Sequence, residues 1–93
     1  MKVTVTAKSD KSVFAAVDAD GNYVIISLDD IRDIELGDVL SGDFDGDGNL
    51  SKTVRNVTQG HEVRISLEDW ECNRAHALDQ LQRIGSPSQI FTQ

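Results

Sequence analysis

Gly37-Asp38-Val39-Leu40-Ser41-Gly42-Asp43-Phe44-Asp45-Gly46-Asp47-Gly48-Asn49 carries two signals, and the fold turns on where one gives way to the other. Residues 37–42 read as a turn feeding a short strand. Residues 43–49 read as an acidic, glycine-rich loop. Short alternating segments precede this stretch, and two more strands and a helix follow it.

Upstream, Val3, Val5 and Ala7 alternate with Thr4 and Thr6, which predicts a strand over 2–8 with the three apolar residues on one face. Val13, Ala15 and Val17 alternate with Phe14 and Ala16. Both faces are apolar, so this second strand is expected to be covered on both sides. Asp18-Ala19-Asp20-Gly21-Asn22 is a hairpin turn, since Gly and Asn accept the positive φ that tight hairpins need. Val24, Ile26 and Leu28 then alternate with Tyr23, Ile25 and Ser27. The three strands predict an antiparallel meander. Between 29 and 36 the alternation stops, and Ile31, Ile34 and Leu36 suggest one short helical or 3₁₀ turn across a barrel end.

Downstream, strands are expected over 39–44, 50–58 and 62–67, the last with Val63, Ile65 and Leu67 inward. A helix is predicted over about 67–84. Leu67, Trp70, Ala77, Leu78, Leu81 and Ile84 form its apolar stripe, with Arg74 in the middle. Ser66 to Asp69 resembles a capping box, with Asn73 as a rival cap. Gly85 and Pro87 end the helix, and 86–93 is a short tail.

The chain has 93 residues, which sets one domain over 1–85. One cysteine, Cys72, excludes an internal disulfide framework. No apolar run is long enough to span a bilayer and the first residues lack a signal core, so a cytoplasmic protein is expected. Net charge is −7 and unevenly spread. From Asp10 to Asp47 eleven acidic residues face only Lys11 and Arg32. That field repels phosphate backbones and attracts basic protein surfaces.

Ile34-Glu35-Leu36-Gly37-Asp38-Val39-Leu40-Ser41-Gly42 resembles the turn-to-strand stretch of OB-fold and related SH3-like barrels. The resemblance implies a mainly β fold: a small five- to six-stranded antiparallel β-barrel, OB-like or SH3-like, with a C-terminal α-helix. Nucleic-acid-binding members expose aromatic and basic residues on their second and third strands. Here those positions offer Phe14 and Tyr23 among acids, so the fold carries over more readily than the function.

Asp43-x-Asp45-x-Asp47-Gly48-Asn49 matches the first part of an EF-hand loop, with carboxylates at one, three and five and glycine at six. Position twelve is Val54, so the bidentate glutamate is missing, and Glu35 or Asp38 would have to complete a calcium site. Cys72 and His76, four apart on the predicted helix, are two ligands and fall short of a zinc site. Loops this short leave little room for a substrate cleft, and no catalytic set is legible. The expectation is therefore a non-enzymatic acidic binding domain. It meets a basic protein surface through Asp29, Asp30, Asp33, Glu35 and Asp38, with Trp70 and Arg74 as further contacts, as an inhibitor or nucleic-acid mimic would. Calcium binding through Asp43, Asp45, Asp47 and Asn49 is one alternative, and OB-type nucleic-acid binding is the other.

Overall fold

The computed structural model describes residues 1–9, 12–46, 48–84 and 90–92. In chain order the elements are β1 (Lys2–Ser9), β2 (Val13–Val17), β3 (Tyr23–Leu28), β4 (Val39–Ser41), β5 (Ser51–Asn56), β6 (His61–Cys72), α1 (Arg74–Ile84) and β7 (Ile90–Thr92). The turn at Asp10-Lys11, the helix stop at Gly85 and Pro87, and Asp47 lie outside the described residues.

Two meanders build a barrel. β1, β2 and β3 pair in sequence order, as do β4, β5 and β6. β1 then pairs with β4, and β3 with β6, all antiparallel, which closes six strands into a ring. The fold is thus mainly β, a closed six-stranded antiparallel barrel with one C-terminal helix, in keeping with the small-barrel resemblance. β7 lies outside the ring and pairs with the end of β1, from Ala7↔Thr92 to Ser9↔Ile90.

Side-chain alternation fills the ring. Val3, Val5, Phe14, Ala16, Val24 and Ile26 from the first meander meet Leu40, Val54, Val63, Ile65 and Leu67 from the second, and Ile34 and Phe44 plug the ends. Each fully buried side chain of this size is worth about 1.5–3 kcal/mol, so the interior carries most of the stability. β2 is covered on both sides, as its two apolar faces require. Phe14 and Ala16 point into the barrel, while Val13 and Ala15 lie beneath α1 with Ile25, Ala77 and Leu81.

Ala7 does not share the face of Val3 and Val5. Val5 pairs with Ala16 and Ala7 with Ala15, so one extra residue bulges out of β1. The bulge turns Ala7 outward into the helix-side cluster, where Val5 remains inside.

The helix is shorter than the periodicity suggests. It begins at Arg74, not near 67, and Asn73 is its cap: the Asn73 Oδ1 accepts the His76 amide at 2.8 Å. The capping box at Ser66 to Asp69 does not form, because those residues belong to β6. Arg74 stands exposed in the first turn, clear of the stripe of Ala77, Leu78 and Leu81. Residues 29–36 form bends with no helical turn. Ile34 is fully buried and Leu36 packs on the core, while Ile31 is wholly exposed. No helix among the described residues is long and apolar enough to cross a membrane.

Candidate functional site

The acidic residues separate into structural and exposed groups. Asp38 is 4% exposed, and a single oxygen, Oδ2, accepts from the Glu35 amide at 2.9 Å, Asn56 Nδ2 at 2.9 Å and Gln59 Nε2 at 2.7 Å. Three donors on one buried carboxylate lock the 34–38 turn against the β5–β6 hairpin. Asp38 therefore leaves the set of residues available to a partner, a correction to its expected place on the acidic face. A buried polar side chain this well satisfied is a structural anchor.

Asp29, Asp30 and Asp33 sit at the surface of the 29–36 loop, and their carboxylates hold that loop in place. Ser66 Oγ donates to Asp29. Asp30 accepts the Arg64 amide at 3.0 Å and the Arg32 amide at 3.2 Å, and these backbone donors hold its pKa below the usual carboxylate value. Asp33 accepts the Ile34 amide at 2.8 Å. Glu35 is exposed and lies 3.8 Å from Lys8 Nζ.

Of the loop proposed for calcium, Asp43 Oδ1 accepts the Asp45 amide at 2.9 Å and its Oδ2 lies 3.3 Å from Lys52 Nζ. The amide first and the ammonium second lower its pKa. Asn49 Oδ1 accepts the Ser51 amide at 3.0 Å. Gly48 has φ +83°, the left-handed turn the motif asks of its glycine, and Gly21 in the similar 18–22 turn has φ +86°. Both turns place a glycine in the left-handed region.

The barrel end near these two turns opens into a cleft of about 620 Å³. Met1, Val24, Phe44 and Trp70 give it apolar surface, and Asp18, Asp43, Asp45 and Glu71 supply four carboxylates. The expectation that short loops leave little room for a cleft does not hold. Trp70 belongs to β6 rather than to a helix, and its half-buried indole packs against the barrel core. It also closely approaches the backbone of Gly46, where a Cβ would overlap the ring. Only glycine permits that approach. The cleft was illegible in the sequence because its walls come from four separated segments. Asp29, Asp30 and Asp33 lie toward the opposite end of β3, six residues and so roughly 20 Å away.

On the helix side of β6 a second group converges. Asp69, Cys72 and His76 place one ligand atom each within 4.8 Å of one another. His76 Nε2 is 3.0 Å from Asp69 Oδ2. Cys72 is buried, and burial and the neighbouring Asp69 carboxylate push its thiol up to about 11. The carboxylate therefore stands between thiol and imidazole, the reverse of the order that activates a nucleophilic cysteine. Cys72 and His76 do not share a helix face: Cys72 ends β6, and His76 lies in the first turn of α1. Their shared spacing with Asp69, D-x-x-C-x-x-x-H, was readable once Asn73 is taken as the cap.

No family model matches the chain, and no curated protein or solved structure matches it significantly. The residues themselves must carry the functional argument.

Proposed function

We propose that this chain is a non-catalytic binding domain that takes a lysine or arginine side chain of a protein partner into the barrel-end cleft. The observation that carries the reading is that Asp18, Asp43, Asp45 and Glu71 line one cleft together with the half-buried Trp70. An ammonium or guanidinium over an indole gains about 0.5–2 kcal/mol, more as water is excluded. Carboxylates beside it add charge-assisted hydrogen bonds. A concave acidic site between low-dielectric walls also focuses its field and speeds encounter with a basic partner. The same field disfavours phosphate backbones, which argues against the nucleic-acid role of OB-type relatives.

Trp70 is the sole tryptophan, so its fluorescence reports on the cleft directly. Titration with a lysine- and arginine-rich peptide is expected to give a saturable emission change that weakens as salt is raised. Asp45→Lys combined with Glu71→Lys should abolish it. An unchanged response in that double variant, or an equal response to an acidic peptide or to single-stranded DNA, overturns the reading.

Calcium at Asp43, Asp45, Asp47 and Asn49 is the second reading, favoured by the left-handed Gly48 at position six. It predicts a rise in Tm at millimolar calcium that Asp45→Asn removes. A Tm indifferent to calcium ends it.

A further inference from the structure

Asp69, Cys72 and His76 lie apart from the cleft reading and do a different kind of chemistry. We propose that these three side chains form a binding site for a divalent transition-metal ion of the zinc class, with its fourth position open to solvent.

The geometry begins in β6. Ile25 pairs with Asp69 and Ile26 with Leu67, while Tyr23 pairs with Cys72. Each step takes one more residue of β6 than of β3, so β6 carries two bulges. Asp69 and Cys72 consequently sit opposite Ile25 and Tyr23, on the helix-facing side of the sheet. Trp70 between them packs on the barrel core. Glu71 adopts φ +55°, a left-handed conformation uncommon for a residue with a Cβ, and this tightens the Asp69–Cys72 arc. The arc places a carboxylate and a thiol on one side of a short turn.

The third ligand comes from the next element. Asn73 fixes the first turn of α1 by accepting the His76 amide, and that turn brings the imidazole back over Asp69. Asp69 Oδ1 accepts the Trp70 amide at 2.8 Å, so Oδ2 is the oxygen turned toward His76. A backbone donor on one carboxylate oxygen that orients the other is the usual support of a metal-binding carboxylate.

Bonds of about 2.0–2.3 Å to a tetrahedral ion separate its ligands by roughly 3.3–3.8 Å. The three atoms here lie within 4.8 Å of each other, with one pair at 3.0 Å, so rotamer adjustments of about 1 Å bring them into range. Thiolate, imidazole and carboxylate together favour zinc and its late first-row neighbours over calcium or magnesium. On binding, the Cys72 thiol gives up its proton to solvent and its hydrogen bond to the Trp70 carbonyl. The proton that His76 Nε2 shares with Asp69 Oδ2 passes to solvent or, by tautomer exchange, to Nδ1, so that Nε2 presents its lone pair to the ion. Two anionic ligands then balance the dication. His76 is exposed, so water completes the shell from its side.

Cobalt(II) titration of the full chain tests the proposal. A 1:1 thiolate-to-cobalt charge-transfer band with the visible bands of a tetrahedral centre is expected, displaced by zinc. Cys72→Ala should remove the charge-transfer band. His76→Ala and Asp69→Asn should each weaken cobalt binding by more than about tenfold. His76 is on the surface, so its variant keeps the fold, to be checked by circular dichroism. Absence of the band with excess cobalt on folded protein overturns the site. So does equal affinity in His76→Ala, which would mean cobalt on the thiol alone. Neither result depends on the cleft, and a peptide that fills the cleft leaves this test unaffected.

Discussion

The two parts of β6 obey different rules. From His61 to Leu67 the strand alternates regularly, with Val63, Ile65 and Leu67 buried and Glu62 and Arg64 exposed, and His61 to Ser66 pair residue for residue with β5. From Glu68 to Cys72 it is bulged twice, passes through a left-handed residue and ends beneath the helix. The regular part builds the barrel wall. The irregular part sends Trp70 and Glu71 to the cleft and Asp69 and Cys72 to the opposite face. A bulge gives up ladder regularity and in exchange re-aims a side chain, and here consecutive residues serve two separate surfaces.

The contrast can be broken from either side. Ile65→Ala, in the regular part, removes a fully buried side chain from the interior and is expected to cost about 2–5 kcal/mol in denaturant unfolding. Gly46→Ala acts on the irregular part, because a Cβ there collides with the Trp70 indole. A destabilisation of roughly 1–3 kcal/mol is expected, with Trp70 emission shifted to the red as the ring is pushed toward solvent. Most of that cost should vanish in a Trp70→Leu background, and a cost independent of residue 70 would place the clash elsewhere. Glu71→Gly should have the opposite sign. Relief of the left-handed strain outweighs glycine's greater unfolded-state entropy by about 0.5–1 kcal/mol, whereas Arg64→Gly in the regular part should destabilise. The smallest effect concerns pH. Asp30, which accepts the Arg64 amide, has a folded pKa below its ordinary 3.8. Its contribution is present above that value and is lost as pH falls through the folded pKa. Asp30→Asn should lower stability slightly at neutral pH and flatten the acid limb, the two profiles converging as pH falls through the folded pKa.

The same contrast explains what could be read in advance. Regular alternation made the first meander, the inward set Val63, Ile65 and Leu67, and the doubly covered β2 legible from residue pattern alone. The end of β6 was misread because bulges change the strand's period. Leu67 and Trp70, three apart, both pack on the core, and that spacing continues into Ala77 and Leu81 as if one helix ran throughout. Asn73 marked the true start, yet Ser66 and Asp69 offered an equally plausible cap. The acidic surplus was visible, but which carboxylates are consumed by the fold was not. Asp38 looks like its neighbours in sequence and differs only in the amide and side-chain donors that tertiary structure brings to it. The cleft depends on residues from 1 to 71, and no local pattern encodes such an assembly.

β1 is longer than the partner it needs for closure. β4 pairs with it only along Lys2 to Thr4, and β7 takes the stretch from Ala7 to Ser9. The last three strand residues therefore act as a cover on what would otherwise be a raw edge. Deleting 90–92 leaves the ring's own pairings intact and exposes unpaired amides and carbonyls to other copies of the chain. The cost of that loss would appear as self-association at high concentration rather than as a lower melting point, which makes the short strand a safeguard of solubility more than of folding.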